Sequence, residues 1–87
     1  MKKKKKPSRA YQRAYNEEYA LASVSLCVCM AMHDSKMTQR KLATRSKVKE
    51  RVVAQMCNVS GNPTIKNLAA VAEALGYTCH IQFIKSE

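Results

Sequence analysis

The segment from Ser60 to Gly76 constrains the fold more than any other in the chain. Ser60-Gly61-Asn62-Pro63 concentrates turn formers, and Thr64 behind the proline supplies a side-chain oxygen suited to capping a helix. Ile65, Leu68, Ala69, Ala72 and Leu75 then recur near the three- and four-residue intervals that line one face of a helix. Gly76 stands where a left-handed terminator belongs, so both ends of this helix are marked by their own signals.

Working outward from that helix, shorter elements come into view. Val48, Val52, Val53, Met56 and Cys57 recur at helical spacing and stop near Asn58. Before them, Thr38 can cap a short helix that runs through Leu42 and Ala43 to about Arg45, and Ser46-Lys47 separates the two. His33-Asp34-Ser35-Lys36 breaks an apolar stretch from about Tyr15 to Met32. Tyr19, Leu21, Val24, Val28, Ala31 and Met32 give that stretch a helical period, while Val24, Leu26, Val28 and Met30 also alternate as a strand would; length and the flanking Glu17, Glu18 and alanines favour helix. After Gly76, Tyr77, Cys79, Ile81 and Phe83 alternate with other residues at the period of two expected for a strand, which needs a partner to be stable. The expected architecture is all-α, a compact bundle of four helices with a short C-terminal β-strand. Residues 1–14 are expected as a flexible basic arm, 15–76 as the folded domain and 77–87 as a strand and tail at a dimer contact.

At 87 residues the chain has room for one modest core and no separate substrate cleft. Lys plus Arg number 16 against 6 Asp plus Glu, and a formal charge of +10 on so short a chain points to a polyanionic partner. The charge is clustered. Residues 2–6 are all lysine, and Lys36, Arg40, Lys41, Arg45, Lys47, Lys49 and Arg51 face only Glu50 in the segment 36–51. No run approaches the roughly 18 to 20 apolar residues that cross a bilayer, and no secretory cleavage pattern follows the basic start. A cytoplasmic protein, nucleoid-associated when bound and without a membrane partner, is the expectation.

Chemistry finds little purchase here. Cys27, Cys29, Cys57 and Cys79 lack paired C-x-x-C spacing and sit among apolar residues, so reduced, buried thiols are expected. Cys29 and His33 can share a helical face, but two ligands do not make a metal site. His80 reads as a surface or strand residue. The serines lack a nucleophile-elbow context, His33 and His80 have no obvious acid partners, and two glycines cannot build a phosphate-cradling loop. No enzyme activity, metal or cofactor is expected.

Met37-Thr38-Gln39-Arg40-Lys41-Leu42-Ala43-Thr44-Arg45 resembles the second helix of the Cro and phage-repressor helix-turn-helix family, in which "TQ, two variable residues, LA" recurs. The likeness runs without a gap from Thr38 to Asn62-Pro63-Thr64; Leu68, Ala69, Ala72, Glu73, Ala74, Leu75 and Gly76 resemble the family's following helix, and the whole covers Lys36 to about Gln82. Within the family it is most similar to small antitoxin-like regulators, by Ser60-Gly61-Asn62-Pro63-Thr64, Ala74-Leu75-Gly76 and Cys79-His80-Ile81-Gln82-Phe83. Two positions depart from the pattern. Lys47 stands where the family usually has glycine, and a positive φ there costs a non-glycine residue on the order of 1 kcal/mol. Ser46 replaces a usual apolar residue.

The resemblance implies a sequence-specific regulator of double-stranded DNA, a repressor that binds a short inverted repeat as a homodimer. Lys49, Glu50, Arg51, Val52 and Gln55 are then the residues expected at base edges, with Arg51 suited to guanine, Gln55 to adenine and Glu50 to cytosine or to holding Arg51. Lys36, Thr38, Gln39, Arg40, Lys41 and Lys47 are expected on the phosphate backbone, and Val48, Val53 and Met56 inside. Elementary electrostatics supports this independently. Arg40 and Lys41, then Lys49 and Arg51, lie at helix starts, the wrong sign for the helix dipole unless phosphates sit there. Lys2 to Lys6 suit phosphate or minor-groove contact, a nuclear address or solubility.

Two rival readings remain at this level. An antitoxin-like protein would neutralise a toxin or other partner by direct contact, using residues 19–32 or 77–84, surfaces that equally suit a homodimer. RNA binding lacks an aromatic-rich sheet on which bases stack; Tyr11, Tyr15 and Tyr19, at helical spacing, suit packing or a dimer contact better.

Overall fold

The computed structural model describes residues 8–85. They form four helices: α1 (Arg9–Ser35), α2 (Gln39–Ser46), α3 (Glu50–Cys57) and α4 (Ile65–Ala74). The expected all-α bundle is what the chain builds. Residues 1–7, which hold the lysine run, lie outside the described part.

Three of the four helices start on a side-chain cap. Ser8 Oγ accepts from the Tyr11 N–H at 3.1 Å, Thr38 Oγ1 from Lys41 at 3.2 Å, and Thr64 Oγ1 from Asn67 at 3.1 Å. Each satisfies one amide that the first helical turn leaves without a partner. The C-terminal stops are equally local. Gly76 adopts φ +89°, and the Tyr77 N–H reaches back to the Ala72 carbonyl at 2.8 Å, closing α4 as its glycine foretells. Lys36 closes α1 the same way at φ +54°, with Met37 N–H on the Met32 carbonyl at 3.0 Å.

The core lies where α2, α3 and α4 meet. Leu42, Val53, Met56 and Val71 are the largest fully buried side chains, and Val48, Leu75, Ala43 and Ala74 close around them. Helix α2 packs on both α3 and α4, while α1 lies against α3 and adds Val28 and Ala31 from its C-terminal half. Polar bonds to one carbonyl fasten that last contact: buried Ser25 donates its hydroxyl to the Cys57 carbonyl at 2.8 Å and the Cys29 thiol reaches the same oxygen at 4.0 Å, joining the middle of α1 to the end of α3.

Three expectations need revision. The first helix begins at Arg9, well before Tyr15, because Ser8 caps it and Ala10, Gln12, Arg13 and Ala14 favour helix without needing a covered face. Residues 9–20 are exposed on every side, so no apolar period advertised them. The cysteines are not buried: Cys27 and Cys29 are exposed, because α1 runs past the core and turns part of its apolar content outward, and Cys57 and Cys79, at the end of α3 and beyond α4, are half-buried. Finally, residues 77–85 form no strand, since among the described residues no second strand pairs with them. Phe83 is 95% and Ile84 78% exposed in that segment.

Candidate nucleic-acid interface

Helices α2 and α3 are joined by a turn of three residues, Lys47 to Lys49. Lys47 takes φ +61°, the left-handed conformation that the family ordinarily assigns to glycine. Ser46, the other departure, explains how the turn closes around a lysine: its Oγ accepts from the Val48 N–H at 3.3 Å while its hydroxyl reaches the Ala43 carbonyl at 3.5 Å. An apolar residue at 46 offers neither bond. Val48 then drops into the core and orients the start of α3.

The expected inward set of α3, Val48, Val53 and Met56, is buried. Of the expected base-reading set, Lys49, Glu50 and Arg51 are exposed together at the N-terminus of α3. Val52 is half-buried and packs partly against the core. Gln55 is half-buried as well and leans on the following loop. A Cβ added at Gly61 would come within 2.5 Å of Gln55 Oε1 and 2.9 Å of its Cβ, so the amide lies directly against the glycine. Gly61 is required twice over, by that contact and by its φ of +78°.

The expected backbone set sits at the neighbouring start of α2. Lys36, Thr38, Arg40, Lys41 and Lys47 are exposed, and Gln39 is half-buried. Thr38 spends its oxygen lone pair on the α2 cap, which leaves its hydroxyl proton for an outside acceptor. Arg40, Lys41 and Arg45 border one shallow concavity on α2 with Met37 and Thr44. Arg45 thus joins the basic surface although its role was not assigned from sequence; its i+4 spacing from Lys41 is the signal that finds it.

Electrostatics separates this surface from the rest of the molecule. Among the described residues, ion pairs form at Arg13 with Glu17 (3.6 Å) and, for a protonated His33, with Asp34 (3.7 Å). None of Lys36, Arg40, Lys41, Arg45, Lys47, Lys49 and Arg51 takes part in one, and Glu50 does not hold Arg51. The α3 N-terminus also lacks a side-chain cap: Lys49 at that position makes no such bond, so the first amides of α3 point outward with a partial positive charge. Unpaired cations around open amides, with Glu50 the one acid in the first turn of α3, favour an anionic partner presented from outside.

Beside this surface lies a sulfur cluster. Cys57 Sγ stands 3.7 Å from Met32 Sδ, and Cys29 Sγ 4.0 Å from the Cys57 carbonyl. Burial, reinforced by the neighbouring Cys29, raises the Cys57 thiol from its ordinary 9.0 to about 11, so it stays protonated at neutral pH. Among the described residues no three His, Cys, Asp or Glu side chains gather as metal ligands, and no helix is long and apolar enough to cross a membrane.

No curated protein and no solved structure matches the chain. A family model described as helix-turn-helix matches residues 34–81, more than half of the sequence, and spans α2, the turn, α3 and α4. The chain belongs to the Cro and phage-repressor helix-turn-helix family and is a DNA-binding transcription regulator.

Proposed function

We propose that the protein represses transcription by binding, as a homodimer, a short inverted repeat in duplex DNA, with α3 in the major groove. Lys49, Glu50 and Arg51 meet base edges; Lys36, Thr38, Arg40, Lys41 and Lys47 grip phosphates, joined by Arg45. The observation that carries this reading is the unpaired, exposed group of cations around the uncapped start of α3. Arg51 fits guanine through a bidentate fork. Gln55 reaches adenine only after swinging away from Gly61, and Val52 offers a thymine methyl at most the edge of a half-buried side chain.

Selection of bound sequences from random duplex DNA tests the proposal. An enriched motif with two-fold symmetry supports it; recovery of unenriched sequence, or of an asymmetric motif bound by one copy, contradicts it. A second reading is favoured by the uncovered apolar residues Ile81, Phe83 and Ile84. They suit contact with another protein, as in an antitoxin-like regulator that neutralises a partner while occupying its operator.

A further inference from the structure

Helix α1 carries two apolar faces. The first, with Val24, Val28 and Ala31, is taken by the rest of the domain. The second comprises Tyr11, Tyr15, Tyr19, Ala22, Leu26 and Met30, which at 100° per residue fall within a band of about 100° roughly opposite the first. Its large members are between 53% and 63% exposed, and the Tyr15 and Tyr19 rings pair in a tilted arrangement, with centroids 6.3 Å apart and planes at 39°. The band runs for about 28 Å at 1.5 Å per residue, and no charged residue interrupts it.

We propose that this band is the dimer contact, and that it is covered by α1 of a second copy packed antiparallel. The inference rests on the dimeric reading above and adds to it the surface, the direction and the register. Area favours a second copy. At about 200 Å² for an aromatic and somewhat less for an aliphatic side chain, the five large residues leave roughly 550 Å² open per chain. Two copies together then bury up to about 1,100 Å² from these residues, which clears the roughly 1,000 Å² a specific interface needs, with small polar neighbours adding to it. A lipid surface fits less well, because the rest of α1 mixes Arg9 and Arg13 with Glu17, Glu18 and Asp34 rather than presenting a basic face.

Direction follows from charge and size. Parallel packing aligns the helix dipoles of the two copies and brings their positive N-terminal ends together. Antiparallel packing sets each dipole against its opposite. It also places Tyr11 opposite Met30, Tyr15 opposite Leu26 and Tyr19 opposite Ala22 of the second copy, so that the bulky ring at 19 meets the smallest residue of the band. Each domain then hangs on the outer side of the helix pair. With neighbouring elements about 10 Å apart, the two domain centres lie roughly 35–40 Å from each other. That is close to the approximately 34 Å between half-sites one DNA turn apart.

The mass of the full chain in solution, by light scattering, is measured for the wild type, Leu26→Glu, Tyr19→Glu and the off-band control Arg13→Glu. The wild type and the control are expected as two copies, and both band variants as one, with far-UV helicity unchanged. A spin label at Ala10→Cys, in a chain whose native cysteines are replaced, reads direction independently: about 30 Å between labels for antiparallel helices, about 10–15 Å for parallel ones. Two copies persisting in both band variants, or the short distance, overturns the proposal. A wild type that stays single both free and on its DNA overturns the dimeric reading itself.

Discussion

The domain formed by α2, α3 and α4 and the N-terminal half of α1 share one chain but solve opposite problems. In the domain, each short helix buries its apolar side on the others, and Leu42 and Val53 lose all contact with water. In residues 9–20 of α1 the backbone is equally helical, yet every side chain is exposed. Helix formation in the first case is enforced by packing; in the second it follows from a Ser8 cap, helix-favouring residues and continuity with the packed half. The difference teaches that an apolar residue here has two destinations, the core of its own copy or a surface awaiting cover.

That contrast is sharpest in stability. Leu42→Ala empties the best-buried site and is expected to lower unfolding free energy by about 2–5 kcal/mol, read by denaturant titration. Tyr15→Ala, at a dilution where single copies prevail, is expected to change it by less than about 0.5 kcal/mol. Comparable losses from the two substitutions would erase the distinction.

The join between the two regions is the next largest effect. Ser25→Ala removes the shorter of two donors to the Cys57 carbonyl, leaving only the long Cys29 thiol contact, and is expected to cost about 1–2 kcal/mol. Hydrogen exchange should then rise first at the end of α3, where the bond is lost. Unchanged exchange there would mean that the Ser25 hydroxyl adds nothing to the hold of α1 on α3.

Within the domain, Lys47→Gly separates stability from binding. Relief of the positive φ is expected to raise stability by about 0.5–1 kcal/mol, while loss of a cation weakens DNA binding. Tighter binding by the glycine variant would show that Lys47 strains the turn without touching phosphate.

The smallest effect concerns Cys57. Its folded value of about 11 lies above the ordinary 9.0, so the neutral thiol is what folding favours. Stability from this group is intact below pH 9 and declines as pH rises from 9 towards 11. Thermal midpoints across that window should fall less steeply in Cys57→Ala. An identical slope would remove the thiol from the account.

Much of this is legible in the sequence. Thr38, Thr64 and Gly76 mark helix ends through local chemistry, and Val48, Val53 and Met56 repeat at intervals that only an inward face explains. Lys47 announced its own strain by replacing a glycine. What stayed hidden depends on neighbours distant in sequence. Nothing local says that Gln55 rests on Gly61, that Ser25 answers Cys57, or that Cys27 points outward from a helix longer than its apolar period. The alternation after Gly76 is a true period of two, but a strand exists only by pairing, and the described residues provide no partner.

The central claim, that the start of α3 reads bases while the start of α2 grips the backbone, is tested by binding of Arg51→Ala and Arg40→Ala to the selected operator and to random duplex. Arg51→Ala is expected to lose about 1–3 kcal/mol on the operator and little on random DNA, whereas Arg40→Ala weakens both alike. Equal losses from the two variants on both duplexes would contradict the assignment of α3 as the reading helix.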